Sequence, residues 1–261
     1  MRADVGGVLE RLYHTLNKRE YVHPDPLEFL YLYEEPCDRE IVGLVSSSLA
    51  YGRVAQILKS VDSALERLGE HPADFLRGSS RANLERSFAG FRHRFTTGSD
   101  MARMLDGARA AITEYGSLGE LFAELVKDDE PTVLPALTRF VSVVTGPLGG
   151  ESCPLPAPEL GSACKRLHLY LRWMVRSDEV DPGGWEGVPA SKLLVPLDTH
   201  MHRLSRRLGL TERKQADART ALEITEAFRL LSPDDPVKYD FALTRLGIRN
   251  DLNAEAMLFG E

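Results

Sequence analysis

Apolar side chains recur along the chain every three to four residues, a period that lines one side of an α-helix rather than one face of a strand. The pattern predicts helices over 38–50 (DREIVGLVSSSLA) and 53–68 (RVAQILKSVDSALERL), with Gly69 ending the second in a left-handed conformation that costs glycine little. Ser99 is placed to cap a helix through DMARMLDGARAAITEY, and Gly116 to close it. Further on, TALEITEAFRLL sets Ala221, Leu222, Thr225, Phe228 and Leu231 on adjoining faces, while Asp235 and Pro236 offer a cap and a first-turn proline to VKYDFALTRLGI. No segment alternates convincingly, so the expected fold class is all-α.

Two stretches interrupt the helical run. Residues 146–162 (GPLGGESCPLPAPELGS) and 177–197 (SDEVDPGGWEGVPASKLLVPL) are rich in Gly and Pro and predict loops. Between them ACKRLHLYLRWMVR carries an apolar stripe of Leu167, Leu171, Met174 and Val175, with Lys165 in its first turn. No repeat with a period of 20–50 residues is present.

Composition narrows the class. The 261 residues suffice for one large domain or two lobes sharing a cleft, and 43% hydrophobic with 27% charged residues is ordinary for a globular chain. No apolar run approaches the roughly 20 residues that span a bilayer, and MRADVGGVLERLYHTLNKRE does not read as a secretory signal, so a soluble cytoplasmic protein is expected. Cys37, Cys153 and Cys164 are odd in number and lack C-x-x-C spacing, which points to reduced thiols rather than a disulfide, zinc or iron–sulfur framework. The net charge of −7 is uneven: residues 160–214 hold ten Lys/Arg against six Asp/Glu, leaving 22 against 33 elsewhere. A basic face on an acidic body and a merely solvated helix face are both compatible with that count.

The densest chemistry lies in LLVPLDTHMHRLSRRLGL, residues 193–210. Asp198 precedes a helix whose buried stripe is Met201, Leu204 and Leu208, so its carboxylate suits the free amides of the first turn. It also suits a reactive acid held in one direction by Pro196. Metal ligation with His200 and His202 is disfavoured, because residues two apart on a helix diverge by about 200°. His200 reads as a hydrogen-bonded structural side chain, and His202 as facing solvent or phosphate.

VPLDTHMHRLSRRLGL resembles a segment of the helix-hairpin-helix DNA glycosylases, the endonuclease III superfamily, of the approximate form V-D-T-H-x-x-R-x-x-x-R-L-G. Upstream, LPAPELGSACKRL resembles that family's L-P-G-V-G-x-K hairpin: Lys165 follows Gly161 by four residues, but Ala163 stands where the second glycine would be. The 33 residues from Lys165 to Asp198 exceed the spacing in endonuclease III and are closer to that in archaeal 8-oxoguanine glycosylases. The resemblance extends weakly over 38–250 and is specific only over 161–209; the family's cysteine cluster is absent after 248.

The resemblance implies a two-lobed helical fold with a degenerate hairpin, lobe A at about 38–130 and lobe B from 1–37 with 131–261. It implies a monomer acting on double-stranded DNA with a damaged base, 8-oxoguanine being the first choice, without cofactor, metal or iron–sulfur cluster. Asp198 is then the carboxylate that stabilises positive charge developing on the sugar, and Lys165 the amine that attacks the same carbon. DNA contacts fall to Gly161, Ser162, Arg166 and Arg203, with Tyr51 and Arg53 as wedge or phosphate contacts and Trp173 and Trp185 as walls for an everted base. GFRHRF, residues 90–95, offers further phosphate contacts or is a short exposed segment. The alternatives are a binding protein of the same fold without catalysis and a metal-dependent hydrolase centred on His200 and His202.

Overall fold

The computed structural model describes residues 5–249 and 251–259. Its helices are α1 (Val5–Leu16), α2 (Pro36–Ser48), α3 (Val54–Leu68), α4 (Pro72–Gly78), α5 (Arg81–Ser87), α6 (Gly98–Tyr115), α7 (Leu118–Leu125), α8 (Leu134–Thr145), α9 (Lys165–Val175), α10 (Thr199–Arg207), α11 (Ala218–Arg229), α12 (Asp240–Ile248) and α13 (Ala254–Phe259). The one small sheet among the described residues is a hairpin of β1 (Arg92–His93) and β2 (Thr96–Thr97), antiparallel with Arg92 opposite Thr97. The fold is all-α, and no helix among the described residues is long and apolar enough to cross a membrane.

Helix ends follow the chemistry of their residues, with two departures from the sequence reading. Thr97, not Ser99, caps α6: its hydroxyl accepts from Asp100 N while the Asp100 carboxylate accepts from Thr97 N at 2.8 Å, so the pair satisfies two end amides at once. Asp235 does not cap a helix through VKYDFALTRLGI, because its carboxylate is taken by the Arg176 guanidinium at 3.0 Å and α12 starts only at Asp240.

The buried side chains form two clusters. The first gathers α2–α9 around α2, in which every residue from Glu40 to Ser48 is buried. Gly43 allows this centre to close, since a Cβ there would sit 3.1 Å from the Tyr170 ring of α9. The second cluster joins α1 to Val195, Leu197 and α10–α13. Helix α8, within the span assigned by sequence to lobe B, contributes Val141, Phe140 and Val144 to the first cluster.

An ion cluster lies across the seam. Arg172 on α9 and Arg176, the residue that ends that helix, are at most 4% exposed. Arg172 pairs with Asp181 of the following loop at 3.1 Å and with Asp240 of α12. Arg176 pairs with Asp181, with Asp178 at 2.8 Å and with Asp235. The long loop 177–197 is therefore packed structure that supplies buried counter-charge.

Because removing one member of a buried pair strands the other, Arg172→Met is expected to lower unfolding free energy by about 3–5 kcal/mol in denaturant titration. Arg77→Met, on an exposed 3.2 Å pair with Asp74, is expected to cost no more than about 1 kcal/mol.

Candidate active site

A cavity of about 350 Å³ opens where the two clusters meet. Lys165, Leu169 and Arg172 line it from one face of α9, and Asp240, Thr244 and Ile248 from one face of α12, in both cases at the spacing of successive helical turns. Pro24–Pro26, Ala50–Gly52 with Val54, and Pro196 with Asp198–His200 complete the wall. Helices α3, α9 and α10 begin at this cavity, so the positive ends of three helix dipoles lie at it, whereas α12 runs along it from its first residue to its last.

The structure brings Lys165 and Asp198 together: Nζ lies 3.5 Å from Oδ2, with the side chains 34% and 19% exposed. Asp198 is also the N-cap of α10, its Oδ1 accepting from His200 N at 2.9 Å and Met201 N at 2.8 Å. One oxygen holds the helix start, and the other faces the amine. Capping thereby fixes the direction of the free oxygen, so the structural and chemical readings of this residue coexist.

The histidine roles are exchanged relative to expectation. His202 Nε2 is bonded to Arg213 O at 2.9 Å, whereas His200 lines the cavity and its buried Nδ1 has no hydrogen-bond partner. Among the described residues no three His, Cys, Asp or Glu side chains gather as a metal site.

The remaining candidates are distributed unevenly. Gly161 is exposed with φ +77°, ending a single 3₁₀ turn at Pro158–Leu160, so the hairpin lacks a full first helix. Ala163 does not need glycine's freedom; the left-handed residue is Cys164 at φ +44°, and Ala163 packs into the second cluster. Ser162 is exposed and bridges to Asp217. Arg53 is exposed at the N-cap of α3 but does not line the cavity, and Arg203 lies in a separate shallow basic depression with Arg206, Arg207 and Lys214.

The expected aromatic wall is corrected, and two other candidates have partners within the protein. Trp173 is fully buried in the first cluster, and Trp185 stacks on Phe122 at 5.6 Å while its Nε1 donates to Glu40 Oε2 at 3.0 Å; neither lines the cavity. Arg166 donates to Ser48 O at 2.7 Å, satisfying an end carbonyl of α2, and its guanidinium sits 5.1 Å from the Tyr51 ring centre. Tyr51 lines the cavity, and its hydroxyl is bonded to His93 O at 2.9 Å and Thr96 Oγ1 at 2.7 Å, which ties it to the hairpin.

The sequence reading missed Asp240 and Arg172. Arg172 stands seven residues beyond Lys165 on the same helix face, a legible signal; Asp240 carries no local signal, resembling any first-turn acid. It is fully buried, its Oδ1 has no partner, and burial pushes its carboxyl up from 3.8 to about 6 against the pull of Arg172.

Among known proteins, the family described as "Protein of unknown function (DUF2400)" matches residues 25–249. No curated protein and no solved structure matches the chain significantly.

The raised carboxyl of Asp240 has a stability consequence. Folded Asp240 keeps its proton up to about pH 6 while the unfolded residue releases it near 3.8, so its contribution is full below about pH 4 and lost as pH rises through 6. Asp240→Asn removes that slope. Its stability relative to wild type is expected to rise by about 2–3 kcal/mol from pH 4 to 7 in urea titrations, and a pH-independent difference would contradict the assignment.

Proposed function

The chain belongs to the DUF2400 family, and from the geometry of its cavity we propose that it is a DNA glycosylase of the helix-hairpin-helix type, with lyase activity, that removes a damaged base. The observation that carries this reading is the 3.5 Å pairing of Lys165 Nζ with the free oxygen of Asp198 on the wall of one cavity.

Breaking the bond between C1′ and the base leaves positive charge on the sugar, which an ionised carboxylate stabilises. In the lyase branch Lys165 Nζ bonds to C1′ as the base departs with the bonding electron pair and takes up a proton. The attacking amine loses a proton to Asp198 Oδ2, 3.5 Å away. The C1′–O4′ bond then breaks, O4′ leaving with the bonding pair and taking up a proton while the nitrogen lone pair forms the imine, and loss of a C2′ proton expels the 3′ phosphate by β-elimination.

Three further features support the reading. The cavity volume falls in the range of small-molecule pockets and takes one everted nucleotide, not a duplex. Three helix N-termini at the cavity favour an anionic ligand. The Lys165 and Asp198 side chains stay partly exposed on the cavity wall, so a ligand in it can reach both. The resemblance to archaeal enzymes makes 8-oxoguanine the first base to offer.

Borohydride reduction on a panel of lesion-bearing duplexes tests the proposal. Wild type is expected to give a covalent protein–DNA adduct, Lys165→Gln none, and Asp198→Asn one that forms at least about 100-fold more slowly. Free base without an adduct would indicate a glycosylase lacking the lyase step. Duplex binding with neither product would favour the non-catalytic binding protein.

A further inference from the structure

Tyr51 separates two concavities. On one side its ring lines the cavity of Lys165 and Asp198, and on the other it lines a depression of about 550 Å³ shared with Phe95 and Arg166. Phe95 is 82% exposed, although single exposed apolar residues are common and need no explanation by themselves. Its setting makes this one different.

Arg94 and Phe95 form the two-residue tip of the hairpin β1–β2. Arg94 holds φ +52°, an unfavourable left-handed conformation for a side-chain-bearing residue. The base of the hairpin is fastened: Tyr51 Oη bonds to His93 O and Thr96 Oγ1, and buried His93 contacts Ser60 Oγ at 2.9 Å and Tyr51 O at 3.0 Å. An anchored hairpin thus presents an aromatic ring to solvent beside the cavity. Arg92 and Arg94 flank it, both exposed, and the Arg94 guanidinium lies 5.6 Å from the Phe95 ring centre.

Everting a nucleotide leaves a gap in the duplex with two uncovered base faces and phosphates on either side. A planar ring covers a base face irrespective of sequence, and flanking guanidiniums match the phosphates. We propose that Phe95 enters the duplex and stacks in the gap left by the everted nucleotide, while Arg92 and Arg94 meet the adjoining backbone. This rests on the glycosylase reading and assigns the wedge role to Phe95 rather than to Tyr51, whose hydroxyl is bonded to the hairpin.

The test is fluorescence anisotropy of the full chain with a duplex holding a stable tetrahydrofuran abasic site and with the intact duplex. Wild type is expected to prefer the abasic duplex. Phe95→Ala is expected to weaken that complex about 5- to 100-fold while leaving intact-duplex binding and thermal melting unchanged, and Phe95→Trp to restore the preference. Equal abasic affinity for Phe95→Ala and wild type would overturn the proposal and leave the glycosylase reading standing. An equal loss on both duplexes, or a change confined to self-association in sedimentation, would also overturn it. Failure of wild type itself to bind either duplex would end both readings.

Discussion

A buried guanidinium must be met by carboxylates where it stands, and for Arg172 that requirement shapes the molecule. Its partners come from the loop after its own helix and from α12, 68 residues away in the chain. Drawing Asp240 to α9 brings the second apolar cluster against the first and leaves the cavity at their seam. Lys165 stands on the same face of α9, two turns from the guanidinium, so the ion cluster also sets where the amine points.

The acid opposite is oriented by a different device. Two backbone amides of α10 hold one Asp198 oxygen, which leaves the second with a fixed direction toward Nζ. A carboxylate fixed before substrate arrives needs little reorganisation as charge develops, the condition under which electrostatic stabilisation is most effective. Asp240 adds a third acid at the cavity whose proton is held to about pH 6, so the charge of the site changes near that pH.

The helices and the cap at Asp198 were legible because they depend on local spacing: the apolar period marks α2, α3, α9 and α10, and an acid before THMHRL has only nearby amides to satisfy. The start of α6 was misplaced by two residues because Ser99 and Thr97 are both capable caps, and the choice depends on the reciprocal bond to Asp100. The tryptophans were misread because burial is a tertiary property. Glu40 and Phe122, which claim Trp185, lie 145 and 63 residues away. Asp240 was hidden for the same reason, since its meaning comes from Arg172, while GFRHRF was legible as a phosphate-contact or exposed segment but not as a hairpin fastened to Tyr51.

In the proposed function, Asp198 stabilises the breaking of a base–sugar bond inside this cavity. The most direct measurement of that role is single-turnover release of free base from a panel of damaged duplexes, comparing wild type with Asp198→Asn at matched folding. Release of at least one base by wild type, with a rate constant reduced at least about 100-fold in the variant, is the predicted result. Release at equal rates by both proteins, or by neither on any duplex of the panel, would contradict it.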